Sequence, residues 1–530
     1  MKLQPNEIFM EYEKGVQHKS SLGRHGLFEQ NKINERFFIG DQWHGAKCGN
    51  DRPLVRYNVI KRIGDYKMSQ ILNSPIAVNF SVEGVPRLNE SEPITALPSG
   101  KISDIEVNSL NDAFGKYFDV TAERLDFDSI QEKLLRNAYI TGSGVLYTYW
   151  NPNLKTGLFA DDKKTSEIKG DISCEVLDID DIYFGDEYIE DIQSQPYIII
   201  SSNVPLSDAL KEARVNGANI EALRNIENTA TDGKVLTLTK LFKEYENDGS
   251  HTIKGVKVCE NAVIKPEFDT YLRLYPLSLF KWERKNNSPY GESEITYLIP
   301  NQIAINRMIT ANVWSAMTTG MPIMLVNGDT VTQKITNEPG QIIKVYGSNE
   351  DVTGAVKYLT PPVFSQEYES SIKALVENTL TQSGANEVAL GDHRADNNSA
   401  LRTMREASLM PLVITKNRFY AFVEDTARIW ADFWITKYEK RALKINEAAS
   451  SRYMPFDARR YKDLIFTAKV EVSTGALYGD GERLETLLNL FEKGVVDKKQ
   501  LIERLPDGVI TDKKQLLNEI ITRGDADERL

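Results

Sequence analysis

The chain has 530 residues, 41% of them hydrophobic and 26% charged, and its 76 acidic and 64 basic side chains leave a net charge of −12. That length allows several domains and a large core. No run approaches the ~18 apolar residues of a membrane span, and the opening Met1-Lys-Leu-Gln-Pro-Asn-Glu7 lacks the apolar centre of a signal peptide, so synthesis in a cytosol and no membrane partner are expected.

Proteins that hold nucleic acid by its phosphates carry a basic excess, so the acidic balance argues against a DNA-gripping module. The three cysteines, Cys48, Cys174 and Cys259, are far apart and share no CxxC or Cys/His spacing. Packing residues are the simpler reading, and neither a disulfide framework nor a zinc site is indicated.

Residues 5 to about 38 read as helix, with Phe9, Tyr12, Val16, Phe28, Ile33 and Phe37 on a loose helical period broken by Gly23-Arg-His-Gly26. A helix over Asn58 to Asn73 leads into an alternating strand, Ala77 to Val82. Residues 86 to 103, with Pro86, Pro93, Pro98 and Gly100 in a polar setting, read as a surface loop. Helices are expected over Asp104 to Leu125 and Phe127 to Thr141, then a strand from Val145 to Trp150. The neighbouring Gly142-Ser-Gly144 is no phosphate loop, because no Gly-Lys-Ser or Gly-Lys-Thr occurs in the chain.

Residues 171 to 285 read mostly as strand. Ile172 to Phe184 alternates around Asp178, Asp180 and Asp181, Tyr197 to Ile200 is a short apolar strand, and Pro205 to Val215 is a helix. Leu236 to Tyr245 and Ile253 to Val258 form a hairpin about Asn247-Asp-Gly-Ser250, and Leu277 to Trp282 is a last strand. Asp178, Asp180, Asp181, Asp186 and Glu187 are the one carboxylate cluster to weigh as a metal or catalytic site. They lack the alternating ligands, glycine turn and closing bidentate acid of a calcium loop, and read as a solvated strand edge.

The stretch from Pro289 to Lys440 is the most organised. Gly291 to Thr319 carries Ile295, Leu298, Ile299, Ile303, Met308, Ile309 and Val313 on one helical face, which is expected to be buried. Short β runs follow, Ile323 to Val326 and Gln341 to Tyr346, set off by Asn327-Gly328 and Pro339-Gly340. A second helix runs from about Ser365 to Gln382 and is acidic through Glu367, Glu369 and Glu377. Turn-forming residues fill 384 to 398. Asn398 or Ser399 can then cap a helix of some forty residues, with Pro411 expected to kink it.

Past Lys440 the chain reads as charged and irregular until a strand at Leu464 to Val472. A helix over Gly481 to Lys493 precedes a short repeat, in which Gly494 to Leu505 echoes Gly508 to Ile520 and each copy opens with a turn and a capping residue.

Ser288-Pro-Tyr-Gly-Glu-Ser-Glu-Ile295 with Leu298-Ile-Pro-Asn-Gln-Ile-Ala-Ile-Asn306, and Gly384-Ala-Asn-Glu-Val-Ala-Leu-Gly391 with Asp396-Asn-Asn-Ser-Ala-Leu401, resemble the portal proteins of tailed bacteriophages. The order of elements over this stretch is similar too. Phe38-Ile-Gly-Asp-Gln-Trp-His44 is similar to the entry of a portal wing.

The resemblance implies an α+β portal fold: an N-terminal wing over 1–288, a stem helix over 289–319, a small β clip over 320–361 and a second stem helix over 362–383. A tunnel loop over 384–398, a long kinked wing helix with its continuation over 399–460, and a helical crown over 461–530 would complete it. It implies a homo-oligomeric ring, normally dodecameric, at one capsid vertex of the virion, assembled in the host cytoplasm. Double-stranded DNA would pass through it without sequence-specific contacts. The expected protein partners are the large terminase subunit, the head-tail adaptor, and the major capsid and scaffolding proteins.

Asp392, His393, Arg394, Asn397 and Asn398 would face the DNA, and Lys334, Lys344 and Lys357 of the clip would meet terminase and adaptor, although solvated strand charges are an equally simple reading of those lysines. No enzymatic activity and no cofactor are implied. A channel wall must not hold phosphates in deep wells, so the acidic balance is compatible with a conduit. Two alternatives from other classes are another ring-forming connector or scaffold, and a metal-dependent nuclease or motor built on the acids near Asp178. The missing phosphate-loop lysine weighs against a motor.

Overall fold

The computed structural model describes residues 4–46, 53–73, 76–83, 104–159, 166–168, 170–247, 249–319, 323–327, 329, 331, 334, 344, 346, 356–359, 366–385, 398–446, 451–461, 464–471, 480–505 and 516. The loop expected over 86–103, the β run expected over Gln341 to Tyr346 apart from 344 and 346, and nearly all of the second repeat copy lie outside them. The fold is α+β. Two compact units partition the chain: Met1–Glu35, Gly64–Thr296 and Ala395–Leu530 form one, and Arg36–Ile63 with Tyr297–Arg394 the other.

The opening helix is broken where glycines predict it, into α1 (Pro5–Ser21) and α2 (Leu27–Ile39). Gly26 has φ +76°, and a Cβ there would lie 2.7 Å from the Ser20 carbonyl oxygen, so the turn requires glycine. Then come α3 (Val59–Leu72), β1 (Ala77–Glu83), α4 (Asp104–Leu125) and α5 (Phe127–Thr141), which ends on left-handed Gly142. Strands β2 (Ser143–Asn151), β3 (Lys155–Phe159), β4 (Ser166–Ile168) and β5 (Asp171–Leu177) follow.

A turn of 3-10 helix, Ile179–Asp181, separates β5 from β6 (Ile182–Phe184), so the single strand expected over Ile172 to Phe184 is in fact two. Next are β7 (Tyr197–Pro205), α6 (Leu206–Val215), α7 (Ile220–Asn228), β8 (Lys234–Tyr245), β9 (His251–Cys259) and β10 (Ala262–Asp269). Sequence reading finds neither α7, which the Asn219 side chain caps by accepting from the Ala222 amide at 2.7 Å, nor β10.

Strands β6 to β10 form a five-stranded antiparallel sheet in simple meander order, covered on one face by α1. β11 (Leu277–Lys281) pairs with β2, and β2 with β5. The short pair β12 (Glu283–Arg284) and β13 (Gly291–Glu292) precedes α8 (Glu294–Thr319), after which β14 (Ile323–Val326) pairs antiparallel with β15 (Val356–Leu359). Then come α9 (Gln366–Gln382) and α10 (Asn398–Lys437). The helical assignment of α10 continues through Pro411.

The segment expected to be irregular past Lys440 is a hairpin, β16 (Lys440–Asn446) against β17 (Ser451–Asp457). Leu443 and Phe456 are buried, Phe456 against Phe114 and Tyr461. Arg441 is buried as well, its guanidinium 3.6 Å over the Tyr438 ring and donating to the Gly170 carbonyl. β18 (Ile465–Glu471) then pairs with β1 across almost the whole chain, Val82 opposite Phe466 and Val78 opposite Val470. α11 (Asp480–Glu492) and α12 (Lys498–Arg504) close the described part, α12 with an Asp497–Gln500 capping box.

The core of the larger unit lies where α4, α10, β1 and β18 meet. Trp434 is fully buried, with ring centroids 5.1 Å from both Phe114 and Tyr117 and 6.0 Å from Phe80. One turn earlier, Trp430 packs on Phe118 and Phe127 at 4.9 and 5.3 Å. Between them Asp432, 4% exposed, accepts from the Arg273 and Leu274 amides at 2.8 and 3.2 Å and from Arg273 Nε at 3.3 Å, tying α10 to the entry of β11. Burial pushes its carboxyl up, and Arg273 partly offsets this.

Candidate functional site

In the smaller unit, α8 presents Gln302, Asn306 and Thr310 at i, i+4 and i+8, a polar stripe along one side of the helix. The stripe binds backbone. Gln302 Oε1 accepts from the Val59 and Ile60 amides at 2.9 and 3.3 Å, and its Nε2 donates to the Tyr57 carbonyl at 2.7 Å and to Asn306 Oδ1 at 3.0 Å. Asn306 Oδ1 accepts from the Tyr57 amide at 3.0 Å, and its Nδ2 donates to Gln42 at 2.6 Å. Thr310 accepts from the Val55 amide at 3.2 Å.

Val59 and Ile60 begin α3, so their amides have no partner within that helix, and Gln302 caps it from 242 or more residues away. Gln302 and Asn306 lie inside the motif Leu298 to Asn306. Amide and hydroxyl side chains repeated at i, i+4 and i+8 are the signal that would have found them.

The apolar face of α8 is only partly covered. Ile295, Leu298 and Ile305 are buried, but from Arg307 to Met317 no side chain is, and Met317 is 51% exposed. The expectation that the whole face is buried therefore fails within the single chain. α9 joins α8 through Tyr368, which donates to the Met308 carbonyl at 3.3 Å, and Asn301, which donates to Thr379 at 3.3 Å. Ile372, Leu375 and Val376 of α9 are half-buried too, while Glu367, Glu369 and Glu377 are exposed.

α9 ends on Gly384, φ +77°, with the Gly384 and Ala385 amides donating to the Thr381 and Leu380 carbonyls at 3.0 Å. Asp392, His393, Arg394 and Asn397 lie outside the described residues, and Asn398 is the first residue of α10. Lys334 and Lys344 are exposed, and Lys357 stands opposite Leu325 in the β14–β15 pair.

The acids near Asp178 occupy the 3-10 turn and its flanks rather than a solvated strand edge, and each has a protein partner. Asp178 accepts from Asn137, Asp180 from Asn31, Asp181 from Ser201 and Asp186 from the Tyr188 amide, while Glu187 meets His18 at 2.5 Å. No group of three potential metal ligands occurs among the described residues. The turn receives Lys19 of α1, which is fully buried: its Nζ donates to the Ile179 and Asp180 carbonyls at 2.6 and 2.9 Å and sits 3.9 Å over the Tyr183 ring. Sequence reading passes over Lys19, which looks like an ordinary helix-surface lysine.

Burial pulls the Lys19 ammonium down to about 7, against the pull of Asp180 and Asp181. An unfolded lysine titrates near ~10.4, so between about pH 7 and 10 the unfolded chain binds more protons and this residue's contribution to stability rises with pH. We expect the thermal midpoint to rise from about pH 7 to pH 9 in the wild type, and Lys19→Met to remove most of that slope. An equal slope in both proteins would assign the pH dependence elsewhere.

No helix among the described residues is long and apolar enough to cross a membrane. No protein-family model matches the chain, and no curated protein matches it.

Proposed function

We propose that the chain is a portal subunit of the tailed-bacteriophage kind, a ring-forming protein at a capsid vertex through which DNA is packaged and ejected. The observation that carries this reading is the half-covered apolar face of α8, in the part of the chain whose motifs resemble that family. Ile309, Met308 and Val313 are spaced as a buried face yet stay half-exposed in one copy. Each 100 Å² of such surface that a neighbouring copy covers contributes about 2.5 kcal/mol.

The order of elements supports the same reading. A 26-residue helix, a short strand pair and a 17-residue helix lead to the 40-residue α10. The exposed acids of α9 suit a wall that passes phosphates without holding them. Terminase large subunit and head-tail adaptor would dock at the clip, with Lys334, Lys344 and Lys357 as candidate contacts. Residues 384–398 would approach the DNA, with Asp392, His393, Arg394, Asn397 and Asn398 as the candidates there. The protein would work as a conduit, without a reaction of its own.

Paired substitution of Ile309→Asp and Val313→Asp tests the interface. Both side chains are half-exposed in one copy, so the single-copy fold should survive, seen as an unchanged far-ultraviolet circular dichroism spectrum. Assembled protein should fall to monomer in sedimentation velocity. Assemblies of unchanged mass would remove α8 from the contact between copies.

A further inference from the structure

Two sides of α8 are occupied within the chain. Its amide stripe holds the segment about Tyr57 and Val59, with Asn306 and Gln302 accepting from those amides. α9 lies along a second side, where Asn301 donates to Thr379 and Tyr368 donates to the Met308 carbonyl, both at 3.3 Å. A further side carries Tyr297, Pro300, Ala304, Arg307 and Ala311, which recur every three or four residues along one helical face. All of these but the half-buried Ala304 are exposed.

Charge is distributed unevenly between the two helices. Arg307 is the one charged residue of α8 from Tyr297 to Thr319, and it forms no ion pair among the described residues. α9 carries Glu367, Glu369, Lys373 and Glu377, all exposed, three acids against one lysine. Glu369 and Lys373 approach each other at 3.9 Å, but their side chains are 65% and 72% exposed, so the pair holds neither strongly.

The helices run antiparallel, with Asn301 at the level of Thr379 and Met308 at that of Tyr368. Glu369 therefore stands level with Arg307, yet within one copy the two do not meet. A ring closed by rotation uses a heterologous contact, in which one face of a copy meets a different face of the next. Rotation about an axis along α8 keeps every height, and so brings Arg307 of one copy to the level of Glu369 in its neighbour.

We infer that the Arg307 face of α8 packs against the acidic face of α9 from a second copy, so that α8 and α9 alternate around the ring. This rests on the ring reading and names the surface that closes it. Arg307 pairs with the neighbour's Glu369, and Glu377, about two turns along α9, extends the same negative face past Lys373. A contact of α8 on α8 would leave both arginines without an acid, because α8 has none from Tyr297 to Thr319.

The test uses the full chain in two forms, Arg307→Glu, and Glu369→Lys combined with Glu377→Lys. The replaced side chains are exposed, so the far-ultraviolet circular dichroism spectrum should not change. Each form alone should need at least about tenfold more protein than the wild type to assemble in sedimentation velocity, since like charges then face each other at every contact. Mixed one to one, the two should recover the wild-type midpoint, and native mass spectrometry should find equal numbers of each in the assemblies. Should glutamate at 307 disturb the helix, Arg307→Gln serves, and adding Glu369→Lys to it should raise the midpoint no further.

A wild type that assembles while Arg307→Glu assembles at the same concentration would overturn the pairing and leave the ring reading standing. A mixture no better than either form alone would do the same. A wild type that stays monomeric at every concentration would remove the ring reading itself, and this contact with it.

Discussion

Trp434→Ala is expected to cost about 3–5 kcal/mol of stability, enough to unfold a marginal domain. The indole is fully buried among Phe80, Phe114 and Tyr117, and these come from β1 and α4 while Trp434 comes from α10. Removing it opens a cavity that three separate elements would have to close. The indole Nε1 has no acceptor among the described residues. Trp434→Phe therefore loses volume but also sheds an unmet buried donor, and should cost well under half as much. Urea unfolding of the two variants measures both, and equal losses would mean that the indole nitrogen has a partner.

Gln302→Leu carries the next largest effect, about 2–4 kcal/mol, through polarity rather than volume. Leucine removes the side-chain acceptor of the Val59 and Ile60 amides and a side-chain donor to the Tyr57 carbonyl. Gln302→Glu separates the parts of this effect. It keeps the acceptor, places a negative charge at the start of α3 where the helix dipole favours it, and loses only the two donated bonds. Its cost should be the smaller one. Hydrogen exchange at Val59 and Ile60 reports the site directly, with protection lost in the leucine variant and retained in the glutamate one.

Both substitutions bear on how much was legible in the sequence. Helices with strong periodicity and clear stops were readable almost to the residue: α4 and α5 lie where the apolar pattern, the Asp126 break and Gly142 place them. α9 likewise begins within a residue of the expected Ser365 and ends at the expected Gln382, and α10 begins at Asn398, one of the two residues expected at its cap. Partnerships with distant residues were not readable. Lys19 is buried by a turn 160 residues away, and β1 finds its partner strand 388 residues on, where Val82 meets Phe466 at a separation of 384. Nothing local marks either.

The β16–β17 hairpin was missed because its buried Leu443 and Phe456 are interleaved with charged residues, and a stacked, buried Arg441 shares in anchoring it. The acids near Asp178 were misplaced for a similar reason. Alternation suggested a strand, but their hydrogen bonds to Asn31, Asn137 and Ser201 hold a tight turn instead. Of the residues singled out for DNA contact, most lie outside the described part. The helices expected as stem, α8 and α9, were legible in bounds but not in burial, because how far an apolar face is covered depends on what packs against it.

Native mass spectrometry of the purified full chain, with class averages from electron microscopy, tests the central claim most directly. The account predicts closed rings of about twelve copies with an open axial hole wide enough for a DNA duplex, in which a neighbouring copy covers the half-exposed face of α8. A stable compact dimer with no axial opening would contradict it.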